Sequence, residues 1–220
     1  MRIDKIVYIN LDKRGDRRRK IEKVLSRLNV PFERFAAISP TWEDVSEGGK
    51  YFDLFNRCDA RLKRERNSIR GRIGCWLSHK TIIDQNIGND SPVLIVEDDV
   101  DFAQEDLDRF LSRVSLLPED WDIFRVCWKY TWRGRKDFIS EHSKLGNLRK
   151  IADYVFAVKK DRQMLGGSHF VLCRNFEKIS KIFDGEPIIE ADISYTTRGM
   201  NSYLTRLVNL KQLRMGSDIT

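Results

Sequence analysis

The chain has 220 residues, 41% of them hydrophobic, and a formal net charge of +7. That length and apolar content suit one domain over residues 1–220 with a buried core, of a size compatible with a piece excised from a longer chain. No stretch approaches the roughly 20 apolar residues of a membrane span, and residues 1–11 are too polar for a signal peptide. Cys58, Cys75, Cys127 and Cys173 are widely spaced with no Cys-x-x-Cys pair, which reads as reduced thiols in a cytoplasmic protein without a transmembrane segment. The basic residues crowd into 13–20, 61–72 and 133–136, always near acids. Such a balance favours an anionic ligand, a phosphorylated substrate, nucleic acid or peripheral contact with an anionic membrane, and does not choose among them.

In chain order, residues 6–11 predict a first strand and 17–28 an amphipathic helix, because Ile21, Val24, Leu25 and Leu28 recur at helical spacing. Residues 30–37 predict a second strand entered through Pro31. The stretch 39–68 is polar and weakly periodic, and reads as short helices or as a flap that orders when a ligand binds. A helix over 74–87 carries Cys75, Trp76, His79, Ile82 and Ile83 largely on one side, and turn residues at 88–92 lead into a strand from Val93. Beyond it come a helix at 106–117, a strand at 121–128, a strand at 166–173 behind two glycines and a helix at 176–183. An extended piece at 187–192 and a last strand or helix within 204–215 complete the chain. Alternating strands and helices predict a three-layer α/β fold with a mainly parallel central sheet.

Residues 93–101, Val-Leu-Ile-Val-Glu-Asp-Asp-Val-Asp, are the most informative stretch. Four apolar residues in a row suit a strand covered on both faces, so the acids stand at its carboxyl end, where open α/β sheets collect ligands. Clustered carboxylates there offer the hard oxygen ligands that Mg²⁺ or Mn²⁺ prefers. Two readings stay open on this segment alone, a metal-bridged phosphate site and a solvated acidic loop that caps the next helix. Trp128, Tyr130 and Trp132, interleaved with basic residues, could stack on sugar rings or form the buried face of a strand.

Four segments in order resemble glycosyltransferase family 25, the group that includes bacterial lipooligosaccharide galactosyltransferases and procollagen galactosyltransferases. They are Val7-Tyr8-Ile9-Asn10-Leu11-Asp12 with Arg17-Arg18, Gly74-Cys75-Trp76-Leu77-Ser78-His79, Leu94-Ile95-Val96-Glu97-Asp98-Asp99-Val100, and Gly166-Gly167-Ser168-His169-Phe170-Val171-Leu172. Each is weak alone, and together they cover most of the chain. The resemblance implies a GT-A-like domain that moves a hexose, galactose or glucose, from a UDP-sugar to a hydroxyl of a glycan or glycosylated acceptor, with inversion and a bound Mn²⁺ or Mg²⁺.

The same resemblance implies roles for individual residues. Asp99 is the direct metal ligand, Glu97 a ribose-side or water-mediated partner, and Asp98 a second ligand or a strand-end residue. Asn10 and Leu11 lie near base and ribose, Arg14 or Arg18 reaches phosphate, and Ser78 and His79 contact the donor, with a buried core histidine as the alternative for His79. Arg17 and Arg19 are read as solvating the outer face of their helix. Asp192, or failing it Glu190, is the base that deprotonates the acceptor hydroxyl, with helix capping as the other role open to Asp192. Tyr130, Trp132 and His169 are candidates for the acceptor side. Two rivals are a catalytically inactive transferase-like domain that binds a glycan or partner, and a nucleic-acid binder. No helix-turn-helix, zinc-finger or aromatic-stacking signature supports the latter, and no nucleic-acid partner is expected.

Overall fold

The computed structural model describes residues 3–58, 66–127, 137–159, 169–185, 191–195, 199–207 and 210–212, with the backbone alone at 66–68, 192–193 and 211–212. Its centre is an eight-stranded sheet built from β1 (Ile6–Asn10), β2 (Phe32–Ala36), β3 (Val93–Glu97), β5 (Ile123–Val126), β6 (Leu148–Ala152), β7 (Val155–Val158), β8 (Phe170–Cys173) and β9 (Ser202–Thr205). The strands lie in the order β2-β1-β3-β8-β5-β9-β7-β6. A short ribbon, β4 (Val100–Asp101) paired antiparallel with β10 (Lys211–Gln212), stands beside it.

Helices cover both faces, which makes three layers. On one face α1 (Gly15–Leu25) and α5 (Gln104–Val114) bring Ile21, Leu25, Phe110 and Val114 against Tyr8, Leu94, Val96, Phe170 and Leu172. On the other, α4 (Arg66–Gln85) and α7 (Phe176–Gly185) bring Ile73, Trp76, Ile83, Ile179 and Phe183 against Val7, Ile95, Val171 and Cys173. Neighbours along β1, β3 and β8 alternate between the two cores, as the period-two geometry of a strand requires. Because both faces are dry, β8 and the first four residues of β3 read as unbroken apolar runs, whereas β5 carries the buried Arg125.

The α/β expectation stands, and the sheet is more mixed than expected. β2, β1 and β3 run parallel, and β9 runs parallel to β5, but β8 lies antiparallel between β3 and β5, and β7 lies antiparallel between β9 and β6. A doubly covered strand presents the same apolar run in either direction, so direction is not written in the residues of β8. The stretch after β2 holds two short helices, α2 (Trp42–Val45) and α3 (Phe52–Arg57), the first closed by a capping box between Thr41 and Asp44. α4 begins eight residues before the predicted start, since Ile69 and Ile73 continue its buried stripe through the charged turn. α6 (Phe138–Lys144) and the β6–β7 hairpin, with Tyr154 at a φ of 60°, lack a strong periodic signal and were not expected. Residues 186–190 lie outside the described residues, and the chain next forms a four-residue helix, α8 (Ala191–Ser194), rather than an extended piece.

Gly74 fixes how closely α4 approaches the segment after β2. A Cβ there would stand 2.3 Å from the Ile38 carbonyl oxygen. Ser78, one turn on, donates to the Gly74 carbonyl at 2.7 Å and accepts from the Ile38 N–H at 2.9 Å. At the amino end of β5, buried Asp122 accepts from the Asn175 amide at 2.8 Å and the Asn201 N–H at 2.7 Å and pairs with Lys178.

His169, fully enclosed at the start of β8, is the titratable group whose burial bears most directly on stability. Desolvation pulls its imidazole down to about 4, against the pull of Glu97. A folded-state value below the unfolded one means that the unfolded chain binds the extra proton, so stability is full above about pH 6.5 and falls as pH drops toward 4. Chemical denaturation across that window should show a loss of about 2–3 kcal/mol in the native chain that His169→Gln does not share. Equal slopes for the two proteins would mean that His169 is protonated in the fold.

Candidate functional site

The parallel register sets Ile9 opposite Glu97, so the ends of β1 and β3 open at one place. Asn10, only 1% exposed, is the junction. Its amide donates to Asp98 at 2.7 Å and to the Arg14 carbonyl at 3.1 Å, and its side-chain oxygen accepts from Arg34 at 3.2 Å. Arg34 also reaches the Asn10 carbonyl at 3.1 Å and Asp12 at 2.5 Å. The second oxygen of Asp98 accepts from Arg17 at 3.0 Å, with both side chains about one-tenth exposed. Burial pushes the Asp98 carboxyl up, and the bonds from Asn10 and Arg17 partly offset that push.

Asp98 therefore points inward and joins three elements, β1, β3 and α1. Arg17 does not solvate the outer face of its helix as expected. It stands four residues before Ile21, on the same stripe that buries Ile21 and Leu25, and this spacing was the signal available in the sequence. Arg14 forms a two-pronged pair with Asp16 at 2.9 Å, holding the Asp16 carboxyl well below the usual range. Arg18 pairs with Glu22, which also accepts from the Tyr8 hydroxyl. Leu11, half-buried, comes directly after β1.

The other face of β3 carries Glu97, whose side chain is 27% exposed. His79 on α4 is fully buried and its Nε2 lies 3.5 Å from Glu97 Oε1, while Cys75 Sγ, one turn earlier, lies 4.0 Å from the same oxygen. Nδ1 of His79 meets the hydroxyl of Tyr195 at 2.8 Å, and the Trp76 indole donates to Ser194 at 3.2 Å. These two bonds tie residues 191–195, and with them the backbone at Asp192, to the helix that faces Glu97. His169 adjoins from β8, its carbonyl accepting from the Glu97 N–H at 3.1 Å.

Of the residues expected at the site, Asn10, His79, Glu97, Asp98, Asp99 and His169 gather around the carboxyl end of β3. Ser78 is buried in the contact between α4 and the Ile38 segment instead of facing Glu97. The side chain of Asp192 and the whole of Tyr130, Trp132 and Glu190 lie outside the described residues. Cys75, Arg34 and Tyr195 belong to this cluster and were not foreseen as site residues. The i, i+4 spacing of Cys75 and His79 was visible, and the approach of Tyr195 from 116 residues away was not. A cleft of about 230 Å³ lined in part by Arg149, Lys159 and Tyr203 opens at the opposite end of the sheet, three strands away, and takes no part in this cluster.

Glu97 and Asp99 flank inward-turned Asp98, the former partly open to solvent and the latter on the turn to β4. Carboxylates are the hard oxygen donors that a divalent cation takes, and guanidinium groups such as those of α1 and β2 are the donors that a phosphate takes.

The chain matches the family model described as glycosyltransferase family 25 (LPS biosynthesis protein) over residues 3–179. It is 24% identical over 230 residues to procollagen galactosyltransferase 1-B of Xenopus laevis, covering 92% of this chain and 35% of that protein. Over 149 residues it is 29% identical to procollagen galactosyltransferase 2 of Mus musculus, covering 62% of this chain and 21% of the relative. It is 33% identical over 112 residues to the lipooligosaccharide biosynthesis protein lic2B of Haemophilus influenzae, covering 50% and 39%. The matched region thus spans only about a fifth to two fifths of these relatives' own lengths. With β1, the acidic end of β3 and β8 all inside the matched range, the chain belongs to glycosyltransferase family 25.

Proposed function

We propose that this chain catalyses transfer of a hexose, galactose or glucose, from a UDP-sugar to a hydroxyl of a glycan or glycosylated acceptor, with inversion at the anomeric carbon. The observation that carries the reading is the acidic end of β3, held beside the arginines of α1 and β2 within the stretch that matches the family model. Relatives named as procollagen galactosyltransferases support the sugar, and one named for lipooligosaccharide biosynthesis supports a glycan acceptor.

In this reading Glu97 and Asp99 hold a Mn²⁺ or Mg²⁺ ion. Departure of the nucleoside diphosphate builds negative charge on its β-phosphate, which an ion held by these carboxylates would stabilise. The chain's own residues do the rest. The Asp98 bonds to Asn10 and Arg17 keep the acidic turn in place, so that no reorganisation is needed as charge develops. Arg18, half exposed, and Arg14, on exchanging Asp16 for the ligand, offer guanidinium forks to phosphate oxygens. Leu11 lies beside the base and ribose. Asp192 accepts the proton of the acceptor hydroxyl while that oxygen attacks the anomeric carbon from the face opposite the diphosphate, and Glu190 is the alternative base. Tyr130 and Trp132 are assigned to the acceptor side, and His169, itself buried, backs that side through the bond its carbonyl accepts from the Glu97 N–H. No helix among the described residues is long and apolar enough to cross a membrane, and none of the four cysteines is in a disulfide, with Cys58, Cys127 and Cys173 buried. We place the protein in the cytoplasm, where UDP-sugars are available to it.

Excess chelator should abolish transfer, and Asp99→Ala should lower the rate at least about 100-fold, as loss of a charge-stabilising group does. Full activity in chelator would remove the metal from the mechanism. Asp192→Asn keeps size and polarity but cannot take the proton, so UDP binding should persist while transfer falls by about 10²- to 10⁴-fold. Unchanged transfer per folded molecule, with stability reduced, would make Asp192 a helix cap and move the base to Glu190.

A further inference from the structure

Cys75, His79 and Glu97 each aim one donor atom into a single space, and the three atoms lie within 4.8 Å of one another. His79 is fully buried, yet its Nε2 has no hydrogen-bond partner among the described residues. Its separation of 3.5 Å from Glu97 Oε1 is too long for an N–H···O bond. A buried imidazole nitrogen left in this way costs stability unless something else occupies the gap.

We infer that these three residues form a binding site for a thiophilic divalent cation of the Zn²⁺ or Co²⁺ class, distinct in ligand chemistry from the all-oxygen site proposed for Mn²⁺ or Mg²⁺. The distances fit. With bonds of about 2.3 Å to sulfur and about 2.0–2.2 Å to nitrogen and oxygen, ligand atoms of a tetrahedral ion stand roughly 3.3–3.8 Å apart. The 3.5 Å separation lies in that range, the 4.0 Å one needs a small side-chain rotation, and the sulfur-to-nitrogen separation, within 4.8 Å, closes by rotation of the Cys75 side chain.

Cys75 and His79 are one turn apart on α4, so the helix presents both to the same point. Tyr195 supplies the outer support, its hydroxyl standing 2.8 Å from His79 Nδ1. Its hydroxyl oxygen can accept a hydrogen bond from Nδ1–H, which leaves Nε2 as the metal-facing nitrogen. Binding converts the Cys75 thiol to a thiolate and releases its proton to solvent. The exposed part of Glu97 leaves the fourth position open to water. One thiolate, one imidazole and one carboxylate select Zn²⁺ or Co²⁺ over the harder Mg²⁺ and Mn²⁺.

The site stands independently of the transferase reading. If Glu97 also serves the donor's cation, the two ions share one carboxylate and exclude each other.

Titration of the purified chain with Co²⁺, followed by near-ultraviolet absorption, tests the inference. One equivalent of Co²⁺ should produce a thiolate-to-cobalt charge-transfer band that Zn²⁺ abolishes and excess Mg²⁺ leaves in place. Cys75→Ser should lack the band, and Glu97→Gln should weaken Co²⁺ binding at least about tenfold. In the native chain, Zn²⁺ should also slow alkylation of Cys75, located by peptide mass mapping, whether or not the variants fold. Absence of the band, its persistence in folded Cys75→Ser, or alkylation of Cys75 at the same rate with and without Zn²⁺ would overturn the site.

Discussion

The carboxylate of Asp98, clasped between the Asn10 amide and the Arg17 guanidinium, is the contact on which the rest of the site depends. It joins the end of the first strand, the end of the acidic strand and the first turn of α1 in a space that is almost closed to water. A buried ion pair contributes little net stability over an apolar substitute, but removing one partner costs about 3–5 kcal/mol because the other is left charged and buried. Its value here is positional. The turn after β3 has one low-energy direction as long as Asp98 faces inward, and that direction sends Glu97 to the α4 side and leaves Asp99 on the turn.

The two sides of β3 then carry different chemistry. Toward α1 lie arginines and hydrogen-bonded carboxylate, suited to phosphate. Toward α4 lie a thiol, an imidazole and the backbone of Asp192, brought close by Tyr195 and Trp76. Glu97 belongs to the α4 side and Asp98 to the α1 side. The arrangement stems from the alternation of a strand, since residues 97 and 98 must point to opposite faces, and from the close approach of α4 that Gly74 permits. A bulkier residue at 74 would move Cys75 and His79 together, because both ride on the same helix.

Much of this was legible in the residues. The apolar run of β3, its abrupt change to acids, the strand–turn–helix at residues 6–25 and the three-layer architecture are all consequences of periodicity and branching. The antiparallel insertion of β8 was not legible, because a fully covered strand carries no mark of direction. The inward role of Arg17 was legible in part. Its place on the Ile21 stripe was visible, but a guanidinium on a buried stripe needs a buried acid, and Asp98 lies 81 residues away. Asn10 was expected near the base and ribose, and its amide instead bonds to protein partners at the strand junction. The meeting of Tyr195 with His79 depends on how the chain returns after α7, which no local pattern encodes.

In the proposed function, the Asp98 clasp positions a metal-dependent nucleotide site. Calorimetric titration of UDP in the presence of Mn²⁺, comparing the native chain with Asp98→Asn, measures it most directly. The substitution keeps the shape but sets an amide against Arg17, so the expected result is a folded protein whose Mn²⁺-dependent UDP binding is weaker by at least about tenfold, or 1.4 kcal/mol. Equal UDP affinity in the two proteins, or no Mn²⁺-dependent UDP binding by the native chain, would contradict it.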